Sequence, residues 1–150
     1  MRGRASIMAA MTEFNFYHPI EVRYADIDAQ GHMNNAKYLT FFEQARIHYL
    51  LHLGLFRREQ SFDDIGIILA DVHLTFLAPV TWQTPVTVGV KTSRIGNKSM
   101  TVLNSLFNAE SGEEMARAEI VLVTYDYHTG KTVPVPAEWR EKIGAFDGCR

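Results

Sequence analysis

Apolar residues recur along the chain with two different periods, and the change of period divides it into regions. Over 14–24, in FNFYHPIEVRY, Ile20, Val22 and Tyr24 alternate with Glu21 and Arg23, which predicts a strand interrupted at Pro19. Over 35–53, in NAKYLTFFEQARIHYLLHL, the spacing becomes helical. At about 100° per residue, Tyr38, Leu39, Phe42, Ala45, Tyr49, Leu50 and Leu53 share one broad arc, while Lys37, Thr40, Gln44, His48 and His52 lie opposite. Asn34 or Asn35 suits the N-cap, and Gly54 suits the stop. A short irregular or helical piece follows over 57–65. A period of two then returns in four stretches rich in Val, Ile, Thr and aromatics: 67–77, 85–95, 99–109 and 115–127. The breaks carry turn residues: Pro79 and Pro85, 96-GNK-98, 110-ESGE-113 and 128-HTG-130. The stretch 134–143 predicts a short terminal helix.

Strands that follow one another without intervening helices predict an α+β domain rather than a parallel α/β sheet. A helix with so wide an apolar arc needs a sheet to cover it. Four or five strands in one small domain leave an edge that invites pairing, so a homodimer with a continuous sheet is expected. The 150 residues, 47% of them hydrophobic, are enough for one core. We expect an N-terminal extension over 1–12, a single domain over 13–143 and a tail over 144–150. Net charge is −2 with mixed signs along the chain, which does not suit a general nucleic-acid binder. No apolar run reaches the roughly 18 residues of a membrane span. The single cysteine, Cys149, has no internal disulfide partner, which fits a reducing compartment and a cytoplasmic protein.

The chemistry concentrates in 26-DIDAQGHMNNAKY-38, at the entrance to the long helix. A cap needs one Asn or Asp, yet Asp26, Asp28, Gln30, His32, Asn34 and Asn35 all stand here. A helix N-terminus offers free N–H groups and a dipole that favours developing negative charge. Such donors with a nearby carboxylate suit acyl transfer: the donors stabilise an oxyanion while the carboxylate attacks or activates water.

Asp28, Gly31, Asn34, Asn35 and Tyr38, followed by Phe42, Glu43, Gln44, Ala45 and Arg46 in a helix, resemble the hotdog-fold acyl thioesterases, in particular the 4-hydroxybenzoyl-CoA thioesterase-like branch. The likeness continues through 71-DVHLTFLAPV-80, 94-RIGNKS-99 and 124-TYDYHTGKTVPVP-136. It implies one long central helix wrapped by a curved antiparallel sheet of about five strands, a homodimer or homotetramer, and sites at the dimer interface. It implies hydrolysis of an acyl-CoA, with coenzyme A as part of the substrate and no metal or bound cofactor. Asp28 falls on the family's catalytic carboxylate. Gly66 falls where a backbone N–H meets the thioester carbonyl. Arg94, Asn97, Lys98 and Ser99 fall where the nucleotide or phosphate end of coenzyme A is met, and Gln30, Asn35 and Tyr38 are expected to bind substrate. The run 28-DAQGHMNN-35 also resembles the Asp-x-Asn-x-His pattern of plant acyl-carrier-protein thioesterases, with His32 on the histidine and Gln30 in place of the asparagine. Asn35 stands where the hydroxybenzoyl enzymes carry an aromatic residue.

Several residues have a plainer reading beside the functional one. Asp28 and the asparagines serve as turn and cap residues in many proteins, and His32 reads equally as a polar loop residue or as a partner for Asp28. Arg46 falls within the apolar arc, where a guanidinium is costly unless paired. Glu43, three residues earlier, can be its partner, and so can a loop carboxylate such as Asp26 or Asp28; Glu43 is also the rival catalytic acid, with the structural ion pair favoured. His48 and His52 have metal-ligand spacing without an accompanying acid, so a solvated helix face is expected. The sequence holds no GxSxG elbow and no complete phosphate-binding loop. Two other functions stay open: a non-catalytic acyl-CoA-binding module, and an enoyl-CoA hydratase or dehydratase using Asp28 with His32.

Overall fold

The computed structural model describes residues 13–64 and 66–150. The extension expected over 1–12 lies outside the described residues. The chain runs β1 (Phe16–Ile20), α1 (Asn35–His52), β2 (Ile67–Phe76), β3 (Val86–Ile95), β4 (Ser99–Asn108), β5 (Glu114–Asp126), β6 (Lys131–Thr132) and α2 (Ala137–Asp147). The sheet order is β1-β3-β4-β5-β2, with every pairing antiparallel and the short β6 added to β5. This is the expected α+β class.

Each strand alternates between two faces. On the helix-facing side Val86, Val88 and Val90 of β3, Met100, Val102 and Leu106 of β4, and Ala116, Ala118, Ile120 and Leu122 of β5 are all buried. They pack with Tyr38, Phe42, Ala45 and Tyr49 of α1 in one core. On the other side Phe14 lies flat over β3. A Cβ added at Gly89 would stand 2.7 Å from its ring, so this glycine makes room for an aromatic side chain.

The first strand is shorter than expected and ends at Ile20, after which Tyr24–Asp26 form a 3-10 turn. Pro19 lies inside the strand instead of interrupting it, opposite Thr87. β1 is an edge strand, so a residue without an N–H is tolerated there. The terminal helix runs beyond 143 to Asp147, because that carboxylate ties the helix to the core. Its Oδ2 accepts from Tyr49 Oη at 2.5 Å and from the Thr92 amide at 2.8 Å. Tyr49 Oη and Thr92 Oγ1 are 3.0 Å apart. Burial pushes the Asp147 carboxyl above its ordinary value.

Candidate functional site

The polar stretch folds into a small closed loop. Ile27 and Met33 form an isolated antiparallel bridge. The Asp28 amide donates to the His32 carbonyl at 2.9 Å, and the Gly31 amide returns to the Asp28 carbonyl at 3.0 Å. Gly31 sits at φ 80°, a conformation that favours glycine. The Asp28 side chain is half-buried, and its Oδ1 accepts from the Gln30 amide at 2.9 Å. Asp28 and His32 are thus brought to facing positions of one loop, with Gln30 exposed at its tip.

Two anchors fix this loop to the start of α1. The Met33 amide donates to the Val80 carbonyl at 2.7 Å, and Met33 is buried. Asn34 is the N-cap, its side chain accepting from the Ala36 amide. Asp26 is the second anchor. Its carboxylate is fully buried and accepts from the Arg23 amide, Nε and Nη2 at 2.9, 3.0 and 2.8 Å, with Lys37 Nζ at 3.7 Å. The Arg23 hydrogen bonds, with Lys37 adding to them, hold this carboxyl below its ordinary value against the cost of burial. The acid two residues before Asp28 is therefore a structural strut.

Beside the loop lies a cleft of about 270 Å³ lined by His32, Met33, Asn35, Tyr38, Phe76, Leu77, Ala78 and Pro79. Tyr38 and Phe76 meet edge to face at 4.9 Å between ring centres. Burial pushes the Tyr38 phenol above its ordinary value, and a backbone hydrogen bond at Val80 opposes it. Sequence reasoning does not single out Phe76, Leu77, Ala78 and Pro79 as site residues. Their signal is the apolar run that continues past the end of β2.

The remaining expected residues lie elsewhere. Gly66 immediately precedes β2, and its carbonyl accepts from the Tyr125 amide. Arg94, Asn97, Lys98 and Ser99 surround the β3–β4 turn at the same end of the sheet, where the Lys98 carbonyl accepts from the Thr124 amide. Lys98 Nζ reaches Thr132 Oγ1 at 3.4 Å, and the Asn97 carbonyl accepts from the Val135 amide and from Arg140. The ten residues of β2 separate Gly66 from the Asp28 loop, a distance of roughly 30 Å along an extended strand. A single chain thus groups Asp28, Gln30, His32, Asn35 and Tyr38 at one end, and Gly66 with 94–99 at the other.

One expectation about α1 is corrected. Glu43 and Arg46 form no ion pair within the helix: Glu43 is exposed, whereas Arg46 is turned inward and buried. Burial pushes the Arg46 guanidinium below its ordinary value, with the Glu43 charge acting in the opposite sense from a distance. The histidine face is solvated as expected, His52 exposed and His48 half-buried, with ring partners at its border. His48 stacks on His18 of β1 at 4.0 Å, and His52 packs against Phe16 and Phe146. Among the described residues no three His, Cys, Asp or Glu side chains gather as a metal site.

Comparison with known proteins bears on this arrangement. The profile of the thioesterase-like superfamily matches residues 22–143. The long-chain acyl-CoA thioesterase FadM of Escherichia coli is 27% identical over 83% of this chain and 93% of its own. The betainyl-CoA thioesterase of Pseudomonas aeruginosa is 25% identical over 80% of this chain and 76% of its own. A thioesterase structure from Thermus thermophilus, complexed with coenzyme A and zinc, superposes with a TM-score of 0.79 at 29% identity, covering 91% of this chain and 97% of that one.

Proposed function

From the premise that the chain belongs to the thioesterase-like superfamily, we propose that it hydrolyses an acyl-CoA thioester to a free acid and coenzyme A. The observation that carries this reading is the half-buried Asp28 carboxylate, held in a glycine-closed loop at the entrance to α1 beside an aromatic-walled cleft. Asp28 supplies the carboxylate, either attacking the thioester carbonyl or drawing a proton from the water that attacks it. Water adds across the carbonyl–sulfur bond and the thiol leaves with the proton, so the overall reaction needs no further reactant. His32 borders the cleft and serves as a polar partner to the same chemistry. Tyr38 and Phe76 wall the acyl group, and Gln30 and Asn35 line its approach.

The active unit in this reading is a homodimer joined along β2. β2 is an edge strand that leaves large apolar side chains open at both ends: Ile68 and Leu69 near its start, Phe76 and Leu77 at its finish. Their exposures run from 43% to 48%, which leaves apolar surface at both ends of a free edge. Antiparallel pairing of β2 with a second copy brings the start of one strand beside the finish of the other and covers both sets. The same pairing carries the partner's Gly66 and its Arg94–Ser99 turn to the Asp28 end. The Gly66 backbone N–H, donating to the thioester carbonyl, and a phosphate contact from Lys98 then join Asp28 from the opposite subunit. The two activities that FadM and the betainyl-CoA enzyme are named for differ widely in acyl group, so the family alone leaves the acyl group open. In this chain the Tyr38–Phe76 wall favours an apolar one.

The test is release of free thiol from a panel of straight, branched and aromatic acyl-CoAs. Turnover of at least one of them is expected. Saturable binding without thiol release would favour a binding module, and loss of enoyl absorbance would favour a hydratase.

A further inference from the structure

α1 carries a buried charge that has no partner among the described residues. Arg46 is 6% exposed and its Nε has no hydrogen-bond acceptor. Among the described residues no carboxylate lies within ion-pair distance of it. A guanidinium taken out of water needs an acceptor, and none of the described residues supplies one. One turn earlier Glu43 stands exposed and equally without an ion-pair partner among the described residues.

The placement of these two residues indicates where that acceptor comes from. Around the helix Arg46 is roughly 160° from His48, and His48 is stacked against β1 at one edge of the sheet. The side bearing Arg46 therefore looks toward the other edge, the β2 edge. Leu39, about 20° from Arg46 around the helix, is left 37% exposed on the same side. The helix spans Asn35–His52, so its midpoint falls between Glu43 and Gln44. Two copies of α1 related by a two-fold axis run antiparallel. A crossing near that midpoint sets Arg46 within about 3 Å, along the axis, of the other copy's residue 43. That offset is well inside the reach of an arginine side chain.

Resting on the proposed pairing along β2, we propose that Arg46 of each subunit forms an ion pair with the partner's Glu43, giving two identical pairs across the dimer axis. Each chain offers one cation and one anion, so two-fold symmetry makes the surface complementary to itself. The pair also accounts for the exposed Leu39, which the facing helix covers.

The test is complementation by mixing. Glu43→Lys alone sets Lys against Arg at both contacts, and Arg46→Glu alone sets Glu against Glu. Each variant by itself is expected to dimerise roughly 100-fold less tightly than wild type, from like charges at two desolvated contacts. A co-expressed mixture of the two restores an opposite-charge pair at both contacts, and sedimentation should recover a heterodimer close to wild-type affinity. Pairing within one chain could not be rescued in this way. If wild type dimerises and both variants dimerise equally well, or if the mixture stays monomeric or insoluble, the ion pair is wrong while the β2 interface stands. Arg46→Ala that keeps the dimer but loses thiol release would also overturn it, by making Arg46 a substrate anchor. A monomeric wild type would overturn the β2 pairing itself.

Discussion

At the scale of single residues, two acids two positions apart have opposite fates. Asp26 is sealed under Arg23 and Lys37, while Asp28 is half-buried in the loop whose His32 and Met33 border the cleft. The sequence shows two similar aspartates in one polar run, because what separates them is a 3-10 turn that aims one inward. Asp26 has its carboxyl held below its ordinary value by the Arg23 hydrogen bonds. Its stabilising contribution is therefore complete above the unfolded value, near 3.9, and is lost as pH falls through the lower folded one. Asp26→Asn should cost about 1–2 kcal/mol at neutral pH, a modest figure because Arg23 itself is solvated. In urea titrations the gap between variant and wild type should close in acid. Parallel stability curves across that range would contradict the assignment. The same scale explains the correction at Glu43 and Arg46: their spacing suggests a pair within the helix, but inward and outward directions separate them.

At the scale of elements, periodicity is a good guide wherever one face is buried. α1 begins at its Asn34 cap and ends before Gly54 at φ 70°, as its pattern indicates. The four long strands fall within a residue or so of their alternating stretches. Period does not show contacts that come from far along the chain. The histidine side of α1 is solvated as its sequence suggests, but the distant strand β1 supplies His18 and Phe16 as ring partners at its border. Likewise α2 extends to Asp147 because Tyr49 and Thr92 donate to its carboxylate, which no local pattern announces. Gly89 offers a test of packing between elements. A methyl group there would press on Phe14, so Gly89→Ala should destabilise by about 1–3 kcal/mol in thermal or urea unfolding. A neutral result would mean that Phe14 does not rest on β3 as described.

At the scale of the whole molecule, the sheet puts the expected catalytic and coenzyme-binding residues at opposite ends of an edge strand. Local sequence identifies both groups by resemblance, yet it does not reveal that one chain keeps them apart, because that follows from the strand order β1-β3-β4-β5-β2. The apolar ends of β2 and the buried charge on α1 point to the same edge, so a second copy answers both. The Asp28 loop, the cleft beside it and the partner's turn would then form one site, with its chemistry depending on a single carboxylate. The most direct measurement is thiol release by Asp28→Asn on an acyl-CoA that wild type turns over, with circular dichroism and sedimentation on the same sample. The expected result is a fall in kcat of at least about 10³-fold in a protein that folds and assembles as wild type does. Wild-type rates in that variant would contradict the proposal and move the chemistry away from residue 28.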